Sequence, residues 1–203
     1  IFCFLVVYID INMGRYQAMP IMNISWPITC IYSGPIGLYM YFKYGRSKKS
    51  SSNMEHHHCE HDKGSGKPHW VQIYISSTHC GAGCGAADIV SEILIYFAFI
   101  TFWGAAIWAS FFIDYAFALL FGLAFQYYNI KPMRPDLSAG AALWAAIKAD
   151  VWSLTSFQVG MYGWMLAFYY MFDGKLDASS VIFWFMMQIG LTIGLFTTYP
   201  VNW

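Results

Sequence analysis

Long apolar segments separated by short polar stretches constrain the fold of this chain more than any other feature. Apolar character is nearly continuous from Ala86 to Ser110, from Phe111 to Tyr128 and from Ser179 to about Tyr199. A helix of about 20 apolar residues crosses the hydrocarbon core of a bilayer. The pattern therefore predicts an all-α protein, an integral membrane helical bundle.

The composition agrees with this prediction and excludes other classes of protein. Of the 203 residues, 58% are hydrophobic and only 11% are charged, whereas soluble domains carry about 25% charged residues. Eleven basic residues balance eleven acidic ones, so the chain lacks the basic surface that binds nucleic acid. Five cysteines in a long apolar chain do not indicate a secreted disulfide framework. We expect a multi-pass protein whose first partner is the lipid bilayer.

About six transmembrane helices account for the chain as a single membrane domain, residues 1–203. The other three spans are residues 1–9, Ile24 to Tyr44 with a kink at Pro27 and Gly34-Pro35, and Ala141 to Phe172. We expect the first and last helices to be truncated, because apolar residues extend to both ends of the sequence. A turn is expected at Asp173-Gly174-Lys175.

The basic residues predict the orientation. Nine of the eleven fall in the connections between spans two and three and between spans four and five, or in the span ends beside them, and these regions share one side if six spans alternate. Only Arg15 and Lys175 fall opposite. This division places the polar loop at residues 45–68, rich in His, Ser and Lys, on the inner side of the membrane.

Histidine and cysteine are concentrated between residues 56 and 84, which hold all six histidines and three of the five cysteines. Imidazole and thiolate are ligands that transition metals prefer. The first group lies in the polar loop and consists of His56, His57, His58, Cys59 and His61. It lacks the spacing of a folded zinc site. Both a metal-collecting tract and a low-complexity loop without metal function fit it.

The second group enters the third span. His79, Cys80 and Cys84 are followed by Asp88 and Glu92, and an interval of four residues places the last three on one helix face. Carboxyl groups inside a membrane are costly unless they are paired, protonated or liganded. Asp150 lies at a corresponding depth in the fifth span. We predict these six as metal ligands, and we name Gln126, Gln158 and Met161 as secondary candidates. An interhelical hydrogen-bond cluster is the alternative interpretation.

Other positions are weaker candidates for a functional site. Asp114 lies near the outer end of the fourth span, where we expect an exposed acid at the membrane interface. The chain contains no phosphate-binding loop, no nucleotide fingerprint and no Ser-His-Asp order, and we predict no catalytic residue.

The run His79-Cys80-Gly81-Ala82-Gly83-Cys84, followed by Asp88 and Glu92, is the most specific of several motifs. Others are Phe125-Gln126-Tyr127, Lys148-Ala149-Asp150 and Tyr199-Pro200-Val201-Asn202. With these motifs, roughly residues 65–203 resemble an uncharacterised membrane family, domain of unknown function 4396. Gly85-Ala86-Ala87 departs from the family pattern, in which a Gly is expected directly before the Asp. The resemblance implies a multi-span membrane protein and brings no established activity.

Three functional hypotheses follow. The first is an inner-half pocket that binds or transports a transition-metal ion, copper or zinc, with the His and Cys residues meeting the ion first and Asp88, Glu92 and Asp150 relaying it. The alternative is an accessory structural subunit of a larger membrane complex, in keeping with the abundant aromatic and Met residues. The third is a redox role for Cys80 and Cys84, whose Cα atoms lie about 6 Å apart on a helix, a marginal distance for a disulfide.

Overall fold

All the described elements of the chain are helical, apart from an isolated bridge pair between Phe102 and Ala105. The structure, a computed structural model, describes residues 1–17, 19–47, 68–133, 138–174 and 178–203. The helices are α1 (Phe2–Asn12), α2 (Met22–Met40) with a following π-helical turn (Tyr41–Gly45), α3 (His69–Ala98), α4 (Ala106–Met133), α5 (Ala139–Met171) and α6 (Val181–Asn202). The prediction of an all-α protein is confirmed.

Within the described part of the chain, three helices are long and apolar enough to cross a membrane. They are α3 over all of its 30 residues, α4 over Ala106–Tyr128, and α6 over its 22 residues. α5 is longer, at 33 residues, but it is not among the helices that meet the combined criteria of length and hydropathy. α1 is apolar and has only 11 residues. A bundle of six spans therefore stays a prediction.

The boundary between the third and fourth spans differs from the predicted one. The break was expected between Ser110 and Phe111, but α3 ends at Ala98 and α4 begins at Ala106. The connection contains three residues with positive φ, namely Phe99 at 51°, Trp103 at 49° and Gly104 at 77°. The prediction was wrong because residues 99–105 include no proline and no charged residue, so Gly104 is the only turn signal.

The second apolar segment reverses direction at its centre. Gly34 has φ 52° and ψ −126°, a conformation that favours glycine, and Pro35 follows it. The rings of Trp26 and Tyr41 lie edge to face with centroids 5.6 Å apart, whereas 15 residues of straight helix would separate them by about 22 Å. A Cβ placed on Gly37 would lie 3.4 Å from the Cα of Cys30. α2 is therefore a helical hairpin with its tip at Gly34.

The hairpin corrects the predicted path of the chain. The predicted bend at Gly34-Pro35 is confirmed, but Ile24 to Tyr44 does not run through the bundle as one straight span. Arg46, which follows the hairpin, donates to Asp10 through Nε at 2.9 Å and Nη2 at 2.5 Å, and Arg15 Nε lies 3.5 Å from the same carboxyl. Arg15 thus lies beside Arg46 and not on the opposite side. Lys175, the other basic residue predicted to be opposite, lies outside the described residues.

The core lies among α3, α4, α5 and α6, and the hairpin packs against it. The end of α6 meets the start of α3, where Asn202 Nδ2 donates to Ser77 Oγ at 2.8 Å and Tyr199 donates to the Trp70 carbonyl at 3.1 Å. We call this end of the bundle the Trp70 end. The opposite end, which holds the connection between α3 and α4, is the Gly104 end. The predicted polar loop falls almost entirely on residues 48–67, outside the described residues.

Candidate functional site

The predicted polar stripe on α3 is buried along its whole length. Cys80, Cys84, Asp88 and Glu92 are 5%, 0%, 0% and 7% exposed. At a rise of 1.5 Å per residue, Cys80 and Glu92 lie about 18 Å apart along the helix axis. We call these four residues the polar face of α3. Polar side chains buried on one helix face require partners from neighbouring helices. The helix that supplies these partners changes along the face.

At the Trp70 end, α5 supplies the partners of Cys80. The Cys80 thiol donates to Asp150 Oδ1 with Sγ and Oδ1 2.6 Å apart, and the Ser153 hydroxyl lies 3.2 Å from Sγ. Asp150 and Ser153 are 6% and 3% exposed. The second oxygen of Asp150, Oδ2, is buried and has no hydrogen-bond partner. We call Cys80, Asp150 and Ser153 the thiol site.

Two glycines allow the helices to approach one another here. A Cβ placed on Gly122 of α4 would lie 2.8 Å from Asp150 Oδ2 and 2.7 Å from Leu154 Cδ1. A Cβ placed on Gly83 of α3 would lie 3.3 Å from the Gly122 Cα. Small residues are enriched where helices pack closely in membranes, because they let two backbones meet. Gly122 thus determines the shape of the thiol site, although sequence reasoning did not single it out.

The middle of the polar face carries polar atoms without hydrogen bonds. Both carboxyl oxygens of Asp88 and both amide heteroatoms of Gln158 are buried and unpartnered. The Gln158 amide lies near hydrogen-bonding reach of the Asp88 carboxyl, and Glu92 lies within electrostatic range of it. Met161, a predicted secondary residue, is 1% exposed and packs in the same core cluster as Cys84. Buried polar groups in native proteins nearly always have partners, so unpartnered ones mark a place where water or an ion is expected.

At the Gly104 end, α4 supplies a second acid. Asp114 is 2% exposed, and its Oδ1 accepts a short hydrogen bond from the Ser91 hydroxyl. Glu92 and Asp114 both line a cavity of about 360 Å³. We call this space the acid cavity. The prediction of an exposed Asp114 is wrong, because α4 begins at Ala106 and Asp114 faces α3 from its third turn.

A signal in the sequence could have identified Asp114. Ser110, Asp114, Ala118 and Gly122 follow one another at intervals of four residues, and all four are buried. This is the same spacing that revealed the polar face of α3, and it marks the face of α4 that meets it. The correct helix start was needed to recognise it.

The structure distributes the predicted ligands along the bundle. Cys80 and Asp150 come together, whereas Glu92 lies about 18 Å further along α3. Gln126 is half-buried on α4, and no hydrogen bond of Cys80 or Asp150 goes to it. Within the described residues, no three His, Cys, Asp or Glu side chains are placed to hold a metal ion together. The side chain of His79 lies outside the described part, as do His56, His57, His58, Cys59 and His61.

Among the described residues, the polar face and its partners offer carboxyl, thiol, hydroxyl and amide groups, and no ion pair to a basic side chain is found there. The ion pairs found among the described residues join Asp10 to Arg15 and Arg46, away from the polar face. The four cysteines described, Cys3, Cys30, Cys80 and Cys84, are all free thiols. A carboxylate buried without a basic partner needs a proton or a bound cation to offset the cost of burial. The polar face is therefore suited to cations.

The family comparison covers the helices that form this site. The sequence profile described as Domain of unknown function (DUF4396) matches residues 69–203, which span α3 to α6. No curated protein and no solved structure matches the chain. The matched residues make up about two thirds of the sequence, 135 of 203, and include the thiol site and the acid cavity. The chain belongs to the family of proteins with the domain of unknown function DUF4396.

Proposed function

We propose that this chain is a multi-pass integral membrane protein that binds a transition-metal ion at the thiol site, for transport or handling of that ion. The observation that carries the proposal is the buried contact of 2.6 Å between Cys80 Sγ and Asp150 Oδ1. A thiol and a carboxyl group held together in the interior are a soft and a hard ligand for the same cation.

The charges support a divalent ion. When the Cys80 thiol loses its proton, Cys80 and Asp150 together carry two negative charges, which an ion such as Zn²⁺ neutralises. Neutrality matters here because both residues are at least 94% buried, where unbalanced charge is costly. The unpartnered Oδ2 of Asp150 offers a second oxygen ligand, and the Ser153 hydroxyl lies close enough to add a third. Water would complete the coordination.

The surrounding helices support a membrane location. Three helices of the part that the structure describes are long and apolar enough to cross a bilayer. The tip of the α2 hairpin packs beside the polar face. The Tyr32 side chain occupies the space that a Cβ on Gly81 would need, and it lies within van der Waals contact of a Cβ placed on Gly85. In membrane transporters, interrupted helices inside the bundle line ion and substrate sites. The unpartnered Asp88 and Gln158 extend polar groups from the thiol site toward the acid cavity, as a route for a cation would require.

Elemental analysis tests the proposal. The protein is purified in detergent without chelator, loaded with Zn²⁺ or Cu⁺ and desalted, and bound metal is counted by mass spectrometry. We expect about one ion per chain in the parent protein and a small fraction of that in Cys80→Ser and Asp150→Asn. Cys30→Ser is the matched control, because Cys30 is a free thiol, 1% exposed, in a separate core cluster.

Two results would contradict the proposal. One is negligible metal in the parent protein after loading with either ion. The other is equal metal in the parent protein and in both site variants, provided that all of them elute as single species in size-exclusion chromatography. His79→Ala tests whether the neighbouring imidazole takes part.

The accessory-subunit hypothesis stays a prediction. Large apolar side chains such as Trp152, Phe196 and Leu120 are well exposed on the helices, and either lipid or another membrane subunit would cover them. Native gel electrophoresis after mild detergent extraction separates the two cases. Migration at the mass of the chain alone, with its detergent, would count against the subunit hypothesis.

A further inference from the structure

The acid cavity has the size and position of a small-molecule site. Its volume is about 360 Å³, and it lies at the Gly104 end between α3, α4, α5 and α6. Small-molecule pockets typically enclose about 300–1,000 Å³ with mostly apolar walls and a few polar groups. The cavity is separate from the thiol site, because Cys80, Asp150 and Ser153 are not among its lining residues.

The walls of the cavity are aromatic. Eight of the lining residues are Phe or Tyr, and three are Met. Phe111 and Tyr162 lie nearly parallel with ring centroids 4.4 Å apart, and the Tyr162 hydroxyl donates to the Phe111 carbonyl at 2.9 Å. These contacts fix two of the rings in place. The faces of aromatic rings attract cations, most strongly where water is excluded.

Among the described residues, the charges that line the cavity have one sign. They are Glu92 and Asp114, and no Lys, Arg or His of the described part lines it. Asp88, one helical turn from Glu92, adds a third acid that is 0% exposed and has no hydrogen-bond partner. Ser91 is the hydroxyl donor to Asp114. With a neutral apolar ligand these acids need protons to offset the cost of burial, whereas a cation compensates their ionised form directly, so the cavity is complementary to a positive charge.

We infer that the acid cavity binds an organic cation, an ammonium group attached to an apolar or aromatic body. The aromatic walls would hold the ammonium group and the body, and Glu92 and Asp114 would balance the charge. An inorganic cation fits less well, because the acids do not converge at metal-ligand distance within the described residues and such ions need several oxygen ligands at once. This inference goes beyond metal binding at the thiol site and does not depend on it.

Binding of benzyltrimethylammonium tests the inference. The probe is titrated into the purified protein in detergent by calorimetry, with neutral benzyl alcohol as the uncharged comparison. We expect saturable binding of the cation and much weaker binding of the alcohol. Glu92→Gln and Asp114→Asn should each weaken binding of the cation by about tenfold, which corresponds to about 1.4 kcal/mol. Phe111→Leu, which removes a ring and keeps an apolar side chain, should weaken it several-fold.

A cross-test separates this inference from the proposed function. Asp150→Asn should lose metal and keep the organic cation, whereas Glu92→Gln should keep metal and lose affinity for the organic cation. Three results would overturn the inference: no binding of benzyltrimethylammonium, equal binding of benzyl alcohol, or unchanged binding in both acid variants. The comparison of the two probes and the Phe111→Leu variant decide the matter even where an acid variant does not fold.

Discussion

The two ends of the polar face of α3 use the same spacing of residues to build opposite kinds of site. At the Trp70 end, the Cys80 thiol is hydrogen-bonded to Asp150, which packs closely against Gly122 of α4. At the Gly104 end, Glu92 and Asp114 line an open cavity with aromatic walls. The difference comes from the neighbouring helices, because Gly83 and Gly122 bring α3 and α4 together while bulky rings hold the helices apart near the connection. A polar stripe alone therefore does not specify what a helix face binds.

Substitution of the two cysteines of the polar face should give the largest difference. Cys80→Ser removes the thiol that is hydrogen-bonded to Asp150, and we expect Zn²⁺ affinity to fall at least about 100-fold. Loss of a residue that only hydrogen-bonds to a metal ligand typically costs about 10–100-fold. Cys84 is equally buried but makes no hydrogen bond to Asp150. Cys84→Ser should keep the affinity within about threefold. Competition with a zinc-binding dye measures both, and equal losses would show that Cys84 is also a ligand.

The pH dependence should distinguish the two sites next. Zn²⁺ must displace the Cys80 proton, so affinity at the thiol site should fall as pH falls, by about tenfold per pH unit when one proton is released. Benzyltrimethylammonium displaces no thiol proton, so the pH dependence of its binding comes from the acids of the cavity and should be the same in Cys80→Ser as in the parent protein. Titrations at several pH values with both ligands, in the parent protein and in Cys80→Ser, provide the test. A benzyltrimethylammonium profile that changes in Cys80→Ser would mean that the thiol controls both sites.

Close packing at the thiol site predicts a further contrast. Gly122→Ala places a methyl group against Asp150 Oδ2 and Leu154, and overpacking of this kind costs about 1–3 kcal/mol of unfolding free energy. Gly163→Ala on α5 is the matched control, since a Cβ there meets no atom within 4 Å. That control should raise the unfolding free energy by up to about 1 kcal/mol through helix propensity. Denaturant unfolding in detergent measures both variants. Equal stability of the two would contradict the packing at Gly122.

The smallest effect is expected at the base of the hairpin. The Arg46 guanidinium beside Asp10 holds the pKa of that carboxyl below its usual value. A lowered pKa in the folded state contributes stability above the ordinary pKa of Asp, and this contribution is lost as pH falls through the lowered pKa. Arg46→Gln should therefore lower the melting temperature slightly at neutral pH and not at strongly acid pH, while both sites on α3 keep their ligands. If Arg46→Gln lowered the melting temperature equally at all pH values, loss of the ion pair with Asp10 would not be the cause.

The sequence predicted the features that depend on residues close together in the chain and missed those that depend on contacts between distant residues. The spacing of Cys84, Asp88 and Glu92 was sufficient to predict that they share one helix face, because helix geometry is local, and all three are buried. The hairpin was recognised only as a bend at Gly34-Pro35, since distinguishing a bend from a reversal requires the contact between Trp26 and Tyr41.

The acid cavity was missed for a related reason. The connection between α3 and α4 contains mostly apolar residues, so the start of α4 was placed five residues late and Asp114 was assigned to the interface. The cavity also depends on side chains from four helices, whose arrangement does not follow from any one helix. The thiol site was accessible from sequence because its two main residues were already conspicuous as a thiol and a carboxyl group in apolar segments.

X-ray absorption spectroscopy of the Zn²⁺-loaded protein tests the central claim most directly, because it reports which atoms surround the metal. We predict one sulfur ligand at about 2.3 Å, with oxygen or nitrogen ligands at about 2.0–2.2 Å. The sulfur shell should disappear in Cys80→Ser and persist in Cys30→Ser. A zinc environment without sulfur in the parent protein, or a sulfur shell that survives in Cys80→Ser, would contradict the assignment of the thiol site as the metal site.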